Sequence, residues 1–153
     1  MSNAEPEFLD LLDKAVRAAR EQYPDAELYE ANGTSEEPTS DWKDVGTWRF
    51  VFRAEEGTVF VKTVKPWDDL DEPELNREPW VGDVIIPLPL PMDIAEADQL
   101  LKDKGHYVGP YKAVTLRWPL GPGRHEPYYI FETGRRGWYF VGVYDQTVER
   151  VSR

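Results

Sequence analysis

Residues 48–64, WRFVFRAEEGTVFVKTV, decide which fold the sequence predicts, because they have the pattern of an antiparallel hairpin. Two runs of aromatic and β-branched residues, which are typical of strands, flank a polar turn that ends in Gly57. Glycine supplies the positive φ that such turns require. In the first run Trp48, Phe50 and Phe52 alternate with other residues, which indicates a sheet with one buried and one solvated face.

A second stretch, residues 128–144 or YYIFETGRRGWYFVGVY, repeats the hairpin pattern 80 residues further along the chain. With this offset Gly57 matches Gly137, and Phe60 matches Phe140. A helical pattern and a strand pattern precede each hairpin. The sequence therefore predicts an α+β fold of two tandem helix-plus-antiparallel-sheet units, each with the order α-β-β-β, that are separate or share one core. Independent convergence on a common hairpin pattern is the alternative to duplication.

The first predicted unit begins with a helix. Apolar residues at helical spacing predict this helix over residues 5–22, and Pro24 ends it because proline disfavours helix at the preceding residue. Weak alternation predicts a first strand over residues 26–31. The polar run 32–44, NGTSEEPTSDWKD, is rich in turn-forming residues and predicts a mobile loop.

Residues 66–91 differ in composition from the parts that flank them, since they hold six of the thirteen prolines. Alternating proline and leucine predicts an extended, semi-rigid joint, in which residues 81–86 are a candidate edge strand. After the joint we expect a short helix that is capped by Asp93 and stops near Gly105. The predicted division is a first unit at residues 1–65, the joint at 66–91 and a second unit at 92–153.

The net charge of −11 is concentrated in residues 1–90, which hold 21 acidic and nine basic residues. Such a surface repels phosphate backbones and attracts cationic surfaces. We therefore expect no nucleic-acid binding and a basic protein partner. Acidity that only maintains solubility is the alternative.

The composition also bears on chemistry and location. The chain has no cysteine, which excludes disulfides, thiolate zinc sites and thiol catalysis. No apolar run approaches the roughly 20 residues that span a bilayer, so we expect no membrane insertion. The first residues are acidic where a signal peptide is basic, which favours a cytoplasmic location. An exported mature form, with its signal removed, would look the same.

The first 65 residues resemble the PepSY-like family and the related cystatin-like helix-on-sheet units. The resemblance is carried by residues 23–28 (YPDAEL), 48–52 (WRFVF) and 57–61 (GTVFV). It implies a bacterial envelope or secreted protein that binds or inhibits other proteins, and tandem copies resemble the β-lactamase inhibitory proteins. The chain departs from both in having no visible export signal and no disulfide. The family pattern has no catalytic residues to carry over.

Aromatic residues that lie in or beside loops are candidate binding anchors. With the acids near them they form the candidate binding site, which consists of Trp67, Asp68, Asp69, Asp71, Glu72, Trp80 and Trp118. Alternatively, the tryptophans cover the sheet or the joint, and the acids form a weak cation site or a solvated loop. We expect no metal and no cofactor, because the acids lack the spacing of a calcium loop and His106 and His125 lack that of a metal pair.

These observations favour a non-enzymatic protein-binding module, such as an acidic inhibitor or immunity-type protein. The alternative is a small-ligand-binding protein or small hydrolase with a pocket between helix and sheet. A structural domain taken from a larger assembly is a third hypothesis. The chain is expected to be a monomer or a homodimer, since exposed hairpin edges could pair symmetrically.

Overall fold

The computed structural model of the chain describes residues 7–152, which form two helices and eight strands. In chain order these elements are α1 (Phe8–Gln22), β1 (Glu27–Thr39), β2 (Thr47–Ala54), β3 (Gly57–Lys62), β4 (Glu74–Asn76), α2 (Ile94–Asp103), β5 (Tyr111–Arg117), β6 (Tyr128–Glu132), β7 (Trp138–Gly142) and β8 (Val148–Val151). Short 3-10 turns lie at Trp42–Asp44 and Gly134–Arg136.

All eight strands belong to one sheet with the order β4-β3-β2-β1-β5-β6-β7-β8, and every neighbouring pair is antiparallel. The prediction of two tandem helix-plus-sheet units is therefore wrong. β1 hydrogen-bonds β2 on one side and β5 on the other, so the strands of the two parts of the chain are continuous. Each helix is also followed by four strands, whereas the predicted unit had three.

β1 shows why the sequence pattern misled. The predicted strand ended at residue 31, yet β1 continues to Thr39, so the first half of the expected mobile loop 32–44 is strand. Asn32 pairs with Arg49 of β2 and with Thr115 of β5. Pairing on both sides satisfies the backbone of residues 32–34, and tertiary context overrides their low strand propensity.

Both predicted hairpins are confirmed. In the first, Phe50 lies opposite Val61 and Ala54 lies opposite Gly57. Gly57 has a φ of 145°, as the turn pattern required. In the second, Ile130 of β6 lies opposite Phe140 of β7. Residues 81–86, by contrast, form no strand. This part of the chain makes an isolated bridge between Asp83 and Pro119 and a backbone hydrogen bond from Ile86 to the Leu28 carbonyl.

The two helices cover the same face of the sheet. α1 ends at Gln22 as predicted, whereas residues 5 and 6 of the predicted helix lie outside the described residues. The apolar side of α1, the apolar side of α2 and the inward side chains of the strands together form one hydrophobic core. Asp93 caps α2, as predicted, and its Oδ1 also accepts a hydrogen bond from the backbone N–H of Leu9 in α1. One carboxylate thus holds the N-terminal ends of both helices together.

Candidate binding surface

The face of the sheet opposite α1 and α2, called the outer face below, carries the side chains that alternate with the core residues. Arg49 and Val51 of β2 and Phe60 of β3 belong to it. Although neither helix within residues 7–152 covers this face, Val51 and Glu30 are buried. Two chain segments, residues 77–86 and 118–126, cross this part of the sheet and account for the burial.

The two crossing segments meet. The backbone N–H of Val84 donates to the Trp118 carbonyl at 2.9 Å, and Asp83 forms an isolated bridge with Pro119. Near this junction Val81 is 79% exposed and Leu120 is 61% exposed. We call this cluster the two-loop patch, and it consists of Trp80, Val81, Ile85, Trp118 and Leu120.

Buried charges beneath the two-loop patch attach it to the sheet. The Asp83 side chain, only 3% exposed, accepts hydrogen bonds from Trp80 Nε1 at 2.8 Å and from Arg117 Nε at 2.9 Å. Arg117 Nε also lies 3.8 Å from Glu30 Oε1 in the neighbouring strand β1. Because buried charge pairs of this kind are costly to break, the orientation of Trp80 is coupled to the centre of the sheet.

Glu30 itself has an unusual environment. Burial raises the pKa of its carboxyl above the ordinary value, and the nearby Asp83 adds to the rise. The hydrogen bond from Asn32 Nδ2, at 2.8 Å, and the two arginines Arg117 and Arg49 oppose the rise without cancelling it. The folded chain therefore binds this proton more tightly than the unfolded chain does.

This raised pKa gives a pH-dependent stability. The contribution of Glu30 to the free energy of unfolding should fall as the pH rises from the ordinary carboxyl pKa through the raised one, since the folded state binds the extra proton. The free energy of unfolding of the wild type minus that of Glu30→Gln should therefore decrease over that pH range. Urea unfolding at a series of pH values measures it, and a difference that increases with pH would contradict the assignment.

The structure brings together two of the three tryptophans in the predicted binding site. Trp80 and Trp118 both lie in the two-loop patch, and Trp118 also packs against the core, as Trp67 does from the helix-covered side of the sheet. The Trp67 ring contacts Trp42 and Trp48 at centroid distances of 5.8 and 6.3 Å, and its Nε1 donates to the Lys43 carbonyl. Trp67 thus packs against the core and is partly exposed.

The four acids of the predicted binding site lie outside the two-loop patch, in the connection between β3 and β4. Asp68, Asp69, Asp71 and Glu72 are all exposed. Backbone hydrogen bonds from Val64 to the Asp69 carbonyl and from Asp71 to the Lys62 carbonyl hold this connection against the end of β3. Among residues 7–152 no three histidine or acidic side chains are grouped closely enough to hold a metal ion.

Sequence reasoning missed the charged residues of the outer face. Glu30, Arg49, Asp83 and Arg117 form a connected set at its centre, with Arg49 lying 4.0 Å from Glu30. The sequence did contain a signal for them. Arg49 and Arg53 alternate with the aromatic core residues of β2, which indicates that charged side chains lie on the outward side of this strand. Their assembly depends on the β1–β5 pairing, which that alternation does not predict.

No protein-family model and no curated protein matches this chain. Among solved structures, the chain is similar to a putative lipoprotein from Clostridium difficile 630, with a TM-score of 0.65 and 10% sequence identity. The alignment covers 99% of this chain and 95% of that protein, and at this identity it shows a shared fold alone. Within the described residues, neither helix is long and apolar enough to cross a membrane.

Proposed function

We propose that this protein is a non-enzymatic protein-binding module that contacts a basic protein through the two-loop patch. The observation that carries the proposal is the patch itself, in which two segments that hydrogen-bond each other carry exposed aliphatic side chains and two half-buried tryptophans. Contiguous exposed apolar surface on a folded monomer is typical of interaction sites. Tryptophan is also enriched among the residues that dominate binding energies.

The anchoring of the patch supports this role. The Trp80 indole donates to Asp83, and the Trp118 indole donates to the Arg124 carbonyl at 2.9 Å, so both aromatic side chains are positioned before any partner arrives. A preorganised surface loses less conformational entropy on binding than a flexible one. The patch is therefore better suited to a specific contact than two free loops would be.

Charge complementarity supports a basic partner. The chain carries a net charge of −11, and its exposed acids at residues 68–72 lead directly into β4. Glu74 of β4 lies opposite Phe60, whose ring contacts Trp80 at 6.3 Å. Glu74 thus places an acidic side chain on the outer face, beside the ring that contacts Trp80. An acidic inhibitor or immunity-type protein that covers a cationic partner has this arrangement of charge.

The space between α1 and the sheet does not favour the small-ligand alternative. Phe8 of α1 contacts Trp48 and Tyr129 there at centroid distances of 4.6 and 5.8 Å. An apolar groove of about 360 Å³ does lie beside α1, lined by Leu12, Val16 and the segment 88–90. Its polar lining is limited to Asp13 and Arg20, so it lacks the converging polar groups of a typical ligand site.

The proposal is tested by a single charge placed in the patch. Val81→Asp should reduce recovery of the partner at least about tenfold, because the contact would remove the new carboxylate from water and place it against apolar side chains. Val108→Asp is the matched control, since Val108 is 71% exposed and lies outside the patch. The measurement is capture of partners by the tagged chain at low and high salt, with protein identification and a binding isotherm for each variant.

The expected partner is basic, binds more weakly at high salt and binds the Val108→Asp variant as well as the wild type. Equal binding by Val81→Asp, or no partner at either salt concentration, would overturn the proposal.

We propose that the protein is located in the cytoplasm, and cell fractionation tests this location. The name of the C. difficile neighbour, a lipoprotein, lends support to the exported alternative.

A further inference from the structure

A small groove on the outer face places two cations side by side. Arg49 of β2 lies directly opposite Lys62 of β3, and both line a groove of about 160 Å³ with Phe60 and Glu74. Like charges directly opposite each other destabilise a sheet. The Arg49–Lys62 pair therefore has an electrostatic cost, which Glu30, 4.0 Å from Arg49, offsets on the Arg49 side alone.

The Arg49 guanidinium is held in place by aromatic rings. It lies 5.1 Å from the Phe60 ring centroid and 6.0 Å from that of Trp80, and 43% of the side chain is exposed. Its acidic neighbour Glu30 is 4.0 Å away and also interacts with Asn32 and Arg117. Since a guanidinium has five N–H donors in a rigid fork, Arg49 retains donors for a second acceptor.

Lys62 is the complementary donor. Its side chain is exposed, and across residues 7–152 no carboxylate lies within 4.0 Å of its ammonium group. Glu74, which lines the same groove, adds one negative charge at its edge. The groove therefore offers two cationic donors, one aromatic wall and one repelling carboxylate.

We propose that this groove binds a single side-chain carboxylate presented by the protein partner. The inference rests on the proposed function, because Trp80 belongs both to the two-loop patch and to the stack that holds Arg49. A bound water takes up about 30 Å³, so the groove has room for the terminal CH₂ and carboxylate of an acidic side chain. Arg49 and Lys62 donate to the carboxylate oxygens, and Glu74 disfavours ligands with more than one negative charge.

The test needs no partner. An aspartate residue capped as its N-acetyl methylamide is titrated into the full chain at constant ionic strength, and NMR follows the Arg49 Nε–H and the Lys62 amide. We expect saturable shifts with capped aspartate and none with capped asparagine. Lys62→Gln should weaken binding at least about tenfold, as expected for loss of a charged hydrogen bond. Glu74→Gln should tighten it several-fold, because it removes the repelling charge.

Two results would overturn the inference: equal shifts with capped aspartate and capped asparagine, or Lys62→Gln binding capped aspartate as the wild type does. Saturable binding of succinate without binding of capped aspartate would also overturn it, since the ligand would then be a small metabolite. The outcome is separable from that of the capture experiment. Capped aspartate that binds while Val81→Asp leaves capture unchanged would refute the two-loop patch and retain the carboxylate groove.

Discussion

Trp48→Ala is expected to lower the free energy of unfolding by about 3–5 kcal/mol, the range for removing a large aromatic side chain from a core. Trp48 is 1% exposed, and its ring contacts Phe8 of α1 and Phe50 of β2. Its Nε1 donates to the Val45 carbonyl at 2.8 Å. The indole also packs over Gly33 of β1, where an added Cβ would lie 2.5 Å from the ring. The substitution therefore removes contacts between helix and sheet and exposes backbone of β1.

Urea unfolding followed by circular dichroism measures this change. Trp48→Phe is the informative control, because it retains an aromatic ring over Gly33 but loses the hydrogen bond to Val45. We expect it to cost about 1–3 kcal/mol, which is the penalty for a buried acceptor left without its donor. A Trp48→Ala variant destabilised by less than about 1 kcal/mol would show that the core collapses into the cavity, contrary to this account.

Gly57→Ala is expected to cost about 3 kcal/mol or more, because a strained backbone conformation and a steric clash add. Gly57 has a φ of 145°, a region that residues with a Cβ rarely adopt. A Cβ at this position would lie 2.3 Å from the backbone oxygen of Asn76 in β4. Since that neighbour is backbone, it cannot move without disturbing the pairing of β3 with β4.

Gly121→Ala separates the two effects. Gly121 has a φ of 123°, but a Cβ there would have no neighbour within 4 Å. We expect this control to cost only about 1–2 kcal/mol, the cost of the strained backbone alone. Urea unfolding gives both values, and hydrogen exchange should show loss of protection in β4 for Gly57→Ala only. Equal destabilisation by the two substitutions would contradict the clash with β4.

Several elements followed from local pattern. The alternation of Trp48, Phe50 and Phe52 predicted β2 and its buried face, and the glycine at position 57 predicted the turn to β3. The end of α1 and the cap of α2 at Asp93 were also predicted. These features depend on residues within about one turn or one hairpin of each other, where periodicity and capping preferences act directly.

The structure separates the residues of the candidate site. Trp80 and Trp118 were identified because aromatic residues beside charge or proline stand out in a sequence. That they lie in one patch depends on the hydrogen bond between Val84 and Trp118, which are far apart in the chain. Trp67 has the same sequence signal but packs against Trp48, since its segment passes over the helix-covered side.

The amino-acid sequence by itself determined the strands of the two hairpins, the two helices and the acidic charge, because each depends on composition or on contacts between near neighbours. Only the tertiary structure decided that β1 pairs with β5 to make a single sheet. That pairing joins segments about 80 residues apart, and a polar stretch such as residues 32–34 becomes a strand only when both neighbours are in place to satisfy its backbone. The outer face, and with it the set formed by Glu30, Arg49 and Arg117, exists because of that long-range pairing.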